Sequence, residues 1–131
     1  SQSYSNLYIV IQNAYLNTGD RLRINPNGAG SSSYITGTYA SALNTEANLT
    51  FGTANLPTAA TNSGYYTLIQ NYADGTYTKP FSNFGGLNTS SNPWNGGGII
   101  NLTAAITSIS LTTINGTATF SGGRVLIYGV K

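Results

Sequence analysis

Three features of the sequence predict an all-β fold, an antiparallel β-sandwich or jelly roll of about eight to ten short strands with no substantial helix. Apolar residues never recur at helical spacing over a useful length. They gather instead in short β-branched and aromatic runs, and Gly, Asn, Pro and Ser separate those runs at short intervals. At 131 residues the chain fits one domain, residues 1–131, large enough for a two-layer core and too small for two.

The pattern places strands at residues 6–12, 21–25, 33–39, 47–51, 65–72, 76–81, 98–102, 106–114, 117–120 and 124–130. Asn115-Gly116 suggests a type I′ hairpin joining residues 106–114 to 117–120, because Asn and Gly tolerate the two positive φ angles of that turn. Asp74-Gly75 gives the same signal between residues 65–72 and 76–81. Pro26-Asn27-Gly28 and Gly122-Gly123 read as further turns, and residues 53–64 and 82–97 as long exposed loops. In the last third, Ile106, Ile109, Leu111, Phe120, Val125, Leu126, Ile127 and Tyr128 put apolar side chains on both faces of their strands. One face is expected to meet the facing sheet and the other a neighbouring molecule.

Composition narrows the function. Apolar residues make up 40% of the chain and charged residues only 6%, against an ordinary quarter or so. The polar surface therefore consists of Ser, Thr, Asn and Gly, which suits a protein packed densely beside others. The net charge of +2 comes from five scattered cations and three acids, not the clustered basic stripe that nucleic acid requires. No run of about eighteen apolar residues could form a membrane-spanning helix, and no basic-then-apolar leader is visible. Neither a nucleic acid nor a membrane is expected as a partner.

The absence of His and Cys removes the usual nucleophile, base and zinc constellations. Only Asp20, Glu46 and Asp74 could supply a carboxylate pair, and Asp20 and Asp74 fall in turns where short acids cap the backbone. Three separated acids also make a poor calcium site. No enzyme activity, metal or cofactor is expected. Gly28-Ala29-Gly30 lacks the glycine, lysine and helix of a phosphate-binding loop. The glycosylation-like matches at Asn48, Asn88, Asn101 and Asn115 are what chance gives in a chain rich in Asn, Ser and Thr.

Ten Tyr and one Trp remain. Trp94, beside Pro93 and ahead of Gly96-Gly97-Gly98, either covers one end of the core or stacks on a sugar or a neighbour. Tyr65, Tyr66, Tyr72 and Tyr77 divide between core and interface, since Tyr joins an apolar body to a polar tip.

Several stretches, in order, resemble the β-sandwich domain of tailed-bacteriophage virion structural proteins of the tail-fibre, head-fibre and capsid-decoration type. They are Leu22-Arg23-Ile24-Asn25 with a Gly-rich turn and Ser33-Tyr34, then Ile69-Gln70-Asn71-Tyr72-Ala73 leading to Tyr77-Thr78-Lys79-Pro80-Phe81. Trp94, Ala105-Ile106-Thr107-Ser108-Ile109-Ser110-Leu111 and a strand around Phe120 follow. The ending Gly123-Arg124-Val125-Leu126-Ile127-Tyr128-Gly129-Val130-Lys131 is the most specific piece, with Ile127 where Leu is usual. Pro26 departs from the pattern, standing where Asn-Gly-Asp would be expected. The resemblance runs from Leu22 to Lys131 and implies a non-enzymatic domain displayed on the particle surface.

Ser1 is what removal of an initiator Met leaves, so a stand-alone capsid decoration or accessory protein is expected over an excised fibre tip. Its expected partners are other virion proteins, the major capsid protein or tail proteins, together with copies of itself, a trimer by analogy with threefold virion axes. The alternative is a tail-fibre-type module that recognises a host-surface glycan through Trp94 and Tyr side chains.

Overall fold

The computed structural model describes residues 3–28, 34–37, 44–46, 49–50, 55–87 and 90–131, with the backbone alone described at 34–37, 44–46, 49–50, 87 and 90–94. Within these residues the chain forms β1 (Asn6–Leu16), β2 (Leu22–Pro26), β3 (Tyr34–Gly37), β4 (Asn44–Glu46), β5 (Leu49–Thr50), β6 (Ser63–Ile69), β7 (Lys79–Leu87), β8 (Ser90–Ile100), β9 (Ile109–Thr113) and β10 (Phe120–Val130). The described residues contain no helix. The fold is an all-β antiparallel sandwich of unequal layers, a seven-stranded sheet in the order β10-β1-β6-β7-β8-β3-β4 against a three-stranded sheet β5-β2-β9.

Strand alternation produces this arrangement. In β6, Ser63, Tyr65, Thr67 and Ile69 are buried while the residues between them are only half-buried. Register then carries the inward face across the sheet: Ile9 and Ile11 in β1 stand opposite Thr67 and Tyr65, and Ile69 stands opposite Phe81 of β7. Leu22 and Ile24 of β2 meet this face from the small sheet, and Leu56, Ile106 and Ala118 fill in from the connections. Burying such side chains contributes roughly 1.5–3 kcal/mol each.

Two polar features are built into the core. The Thr67 hydroxyl donates to Asn83 Oδ1 at 2.8 Å between β6 and β7. Lys79 is fully buried at the start of β7, and its ammonium donates to the carbonyls of Tyr77 at 2.7 Å, Leu102 at 3.0 Å and Thr103 at 2.7 Å. All three protons of the ammonium are thereby used. The contacts tie the segment after β8 to the β6–β7 connection.

Several local expectations are corrected. The Asn115-Gly116 turn does not close a hairpin, because β9 pairs with β2 and β10 pairs with β1, in different sheets. Residues 117–119 lie outside any strand and Phe120 opens β10. Of the pair, only Gly116 has a positive φ, 70°, so the turn is not type I′. It carries the chain from one layer to the other. Of the region 82–97, read as a loop, residues 82–87 and 90–97 are instead strand, in the antiparallel pair β7–β8, with Asn83 opposite Gly96 and Gly85 opposite Trp94.

Gly122 and Gly123 are not a turn either; they form an irregularity inside β10 where its register against β1 shifts. Gly123 has φ 113°, and a Cβ there would lie 2.6 Å from the Ala14 Cα, so no larger residue fits this close strand approach. The Asp74-Gly75 expectation holds in part. β6 and β7 are antiparallel neighbours, but residues 70–78 connect them, with the positive φ of 51° at Asn71.

Pro26-Asn27-Gly28 does turn, with φ 50° at Asn27 and 66° at Gly28. Asn27 Nδ2 donates to the Ala105 carbonyl at 2.7 Å and its Oδ1 accepts from the Thr107 amide at 2.8 Å. Residues Ser1, Ala29, Gly30, Ser33, Asn48 and Asn88, named in the sequence expectations, lie outside the described residues, as do positions 38–39, 47–48, 51, 53–54 and 88–89 of the expected strands and loops.

Candidate functional site

Of the five aromatic residues singled out in the sequence, the four tyrosines do not converge. Tyr65 is buried in the core over Gly85, where desolvation pushes its hydroxyl up to about 12. Tyr66 points to the opposite face because successive strand residues alternate. Tyr72 sits beyond β6, packed partly against the core, its amide donating to the Ser5 carbonyl at 3.1 Å. Tyr77 is 71% exposed in the same connection. The Trp94 backbone belongs to β8 and not to a loop; its side chain lies outside what is described.

The carboxylates are structural where they are described. Asp74 accepts the amides of Tyr77 at 2.9 Å and Thr76 at 2.5 Å, which hold its carboxyl below the ordinary range. Asp20 is buried between β1 and β2. Burial alone would raise its carboxyl, but hydrogen bonds from the Arg21 and Asn115 amides, with the Thr113 hydroxyl and the Arg21 charge, bring it below the ordinary value. Only the backbone of Glu46 is described, in β4.

Two surfaces emerge that the sequence indicated only in part. On the outer face of the large sheet, Tyr8, Tyr66 and Phe84 form an aromatic row across β1, β6 and β7. The Tyr8 and Tyr66 rings are 6.1 Å apart and 15° from parallel, and the Tyr66 and Phe84 rings are 6.4 Å apart at 35°. The row lines a shallow groove of about 560 Å³ with Ser82 and Asn95 beside it. Its described lining carries no charged side chain. Tyr66 follows from alternation about the buried Tyr65, but Phe84 was hidden inside a segment read as loop.

The second surface is β10. It ends the seven-stranded sheet, so among the described residues its main chain is paired on one side only. Val125 and Ile127 stand opposite Ile11 and Ile9 and therefore share the inward face. Among the described residues the small sheet stops at β9 and leaves both uncovered, 41% and 52% exposed, while Phe120, Tyr128 and Val130 of the same strand are 40% to 49% exposed. Between the ends of the two sheets, Ile11, Leu111, Phe120 and Val125 line an apolar groove of about 380 Å³. The one charged side chain of β10, Arg124, is held by Gln12 Oε1 at 2.6 Å.

No protein-family model, curated protein or solved structure matches this chain.

Proposed function

We propose that this protein is a non-enzymatic structural protein of a tailed-phage virion, displayed on the particle surface as a capsid decoration or accessory protein. The observation that carries this reading is the open side of the sandwich, where β10 offers an eleven-residue strand with apolar side chains on both faces and an unpaired edge among the described residues. Such edges are ordinarily blunted by Lys, Pro or a covering loop, since an exposed one recruits other chains. Here residues 125–130, Val-Leu-Ile-Tyr-Gly-Val, contain neither charge nor Pro. A surface of this kind belongs to a protein whose working state is an assembly.

Two further features support the reading. β10 is the strand that carries the most specific part of the resemblance to phage structural proteins. Asp20 and Asp74, two of the three acids in the chain, are occupied in holding backbone amides. Immunogold labelling of intact particles with antibody against the purified chain tests the proposal. Label on the surface is expected; its absence from intact and disrupted particles alike would overturn the reading.

A second reading is favoured by the outer groove. Tyr8, Tyr66 and Phe84 with Ser82 and Asn95 combine aromatic faces with neutral hydrogen-bonding groups, the combination that suits an uncharged host-surface glycan. The two readings use different surfaces, so each can be tested without disturbing the other.

A further inference from the structure

The assembly reading leaves open what covers β10, and the strand's own residues point to an answer. The Val130 carbonyl accepts the Ser5 amide at 3.0 Å, so Val130 turns its main-chain groups toward the β1 side. Strand geometry reverses this direction at each residue. Val125, Ile127 and Gly129 therefore aim their amides and carbonyls at the edge that has no partner among the described residues. Above and below that edge lie Leu126, Tyr128 and Val130 on the outer face and Val125 and Ile127 on the inner one.

We propose that a second copy of this chain pairs antiparallel along β10, joining two seven-stranded sheets across a twofold axis. This inference rests on the assembly reading above and names the partner at that surface. Charge selects the direction. In a symmetric parallel pair Arg124 would face its own copy, whereas an antiparallel pair centred near Ile127 sets Arg124 against the apolar end of the partner strand. No like charges then meet anywhere along residues 125–130. The same twofold operation makes the contact self-complementary, as an isologous interface requires.

Area supports a second copy as well. Five side chains near half exposure flank this edge on its two faces and together leave on the order of 400 Å² of apolar surface for a second copy to cover. The main-chain edge and the groove beside Leu111 extend this surface toward the roughly 800 Å² per partner that a standard interface needs.

The test uses the purified chain, which contains no Cys. Sedimentation velocity at micromolar concentration is expected to give twice the chain mass, and Ile127→Lys to give a single mass with an unchanged circular dichroism spectrum. Ile127 is 52% exposed, so this substitution leaves the core untouched. Ile127→Cys treated with a short bismaleimide is expected to yield a covalent dimer, and Asn95→Cys, four strands away, is expected to yield none. A single or threefold mass for the unmodified chain, or a dimer that survives Ile127→Lys, would overturn the proposal. A single-mass chain that nevertheless labels the particle surface would overturn self-pairing alone and leave the assembly reading in place.

Discussion

The backbone amide and the side-chain amide of Asn115 both donate to the carboxylate of Asp20, each at 3.0 Å. One residue lies between β1 and β2 and the other between β9 and β10, 95 positions later. The carboxylate thus clamps the crossover from the small sheet to the large one onto the first crossover in the opposite direction. With Arg21 donating its amide at 2.7 Å, Asp20 satisfies three donors at a site that is 2% exposed.

Replacing Asp20 with Ala is therefore expected to destabilise the fold by about 2–3 kcal/mol, because it removes three partly buried hydrogen bonds to a charged acceptor. Urea denaturation followed by Trp94 fluorescence checks this. Asn115→Ala keeps the Arg21 bond and should cost about half as much.

The same carboxylate sets a pH dependence. Its folded value is lowered from an ordinary 3.8, so its contribution is complete above the unfolded value and is lost as pH falls through the folded one. Melting temperature should hold level from neutrality to about pH 5 and drop below about pH 4. Asp20→Asn should be less stable at neutral pH and show a shallower acid drop, measurable by calorimetry across that range.

Lys79→Met is expected to cost roughly 3 kcal/mol, since it leaves three carbonyls without the ammonium that they accept. A melting temperature equal to that of the unmodified chain would contradict the buried cap.

Gly123→Ala should be among the most damaging substitutions of a single atom group. Its Cβ would meet the Ala14 backbone at 2.6 Å in a conformation that L residues avoid. Gly116→Ala faces open space and only the positive φ, so about 1 kcal/mol is expected. Comparing the two melting temperatures separates steric conflict from backbone strain.

For the outer groove, Tyr66→Ala is expected to abolish retention on any glycan that the unmodified chain retains, with the fold intact because the ring lies outside the core. A glycan array probed with both proteins checks this. Retention that survives the substitution would remove the Tyr8–Tyr66–Phe84 row from the second reading.

How much of this was legible in the sequence depended on whether local or distant residues decided the outcome. The Ser63–Ile69 strand could be found, apart from its first two residues, because alternation about Tyr65, Thr67 and Ile69 is a local signal. The segment 82–97 was misread because Asn83, Gly85, Gly86, Asn95 and Gly96 have loop composition, and what holds them extended is pairing of β7 with β6 on one side and with β8 on the other. Asn115-Gly116 marked a real turn, but turn chemistry carries no information about which sheet the chain enters next. The choice was made by β2, some 90 residues earlier, which takes β9 as its neighbour. Local alternation sent Tyr65 and Tyr66 to opposite faces, and distant pairing brought Phe84 to stand beside Tyr66. Apolar side chains on both faces of the last strand were visible from the start, and the exposure of the inward-facing Val125 and Ile127 followed only from the three-stranded sheet ending at β9.

The most direct test of the structural role is the copy number of this protein in purified virions, measured by quantitative mass spectrometry against the major capsid protein. The account predicts a fixed ratio, near one or a simple fraction of one. Absence from purified particles would contradict it.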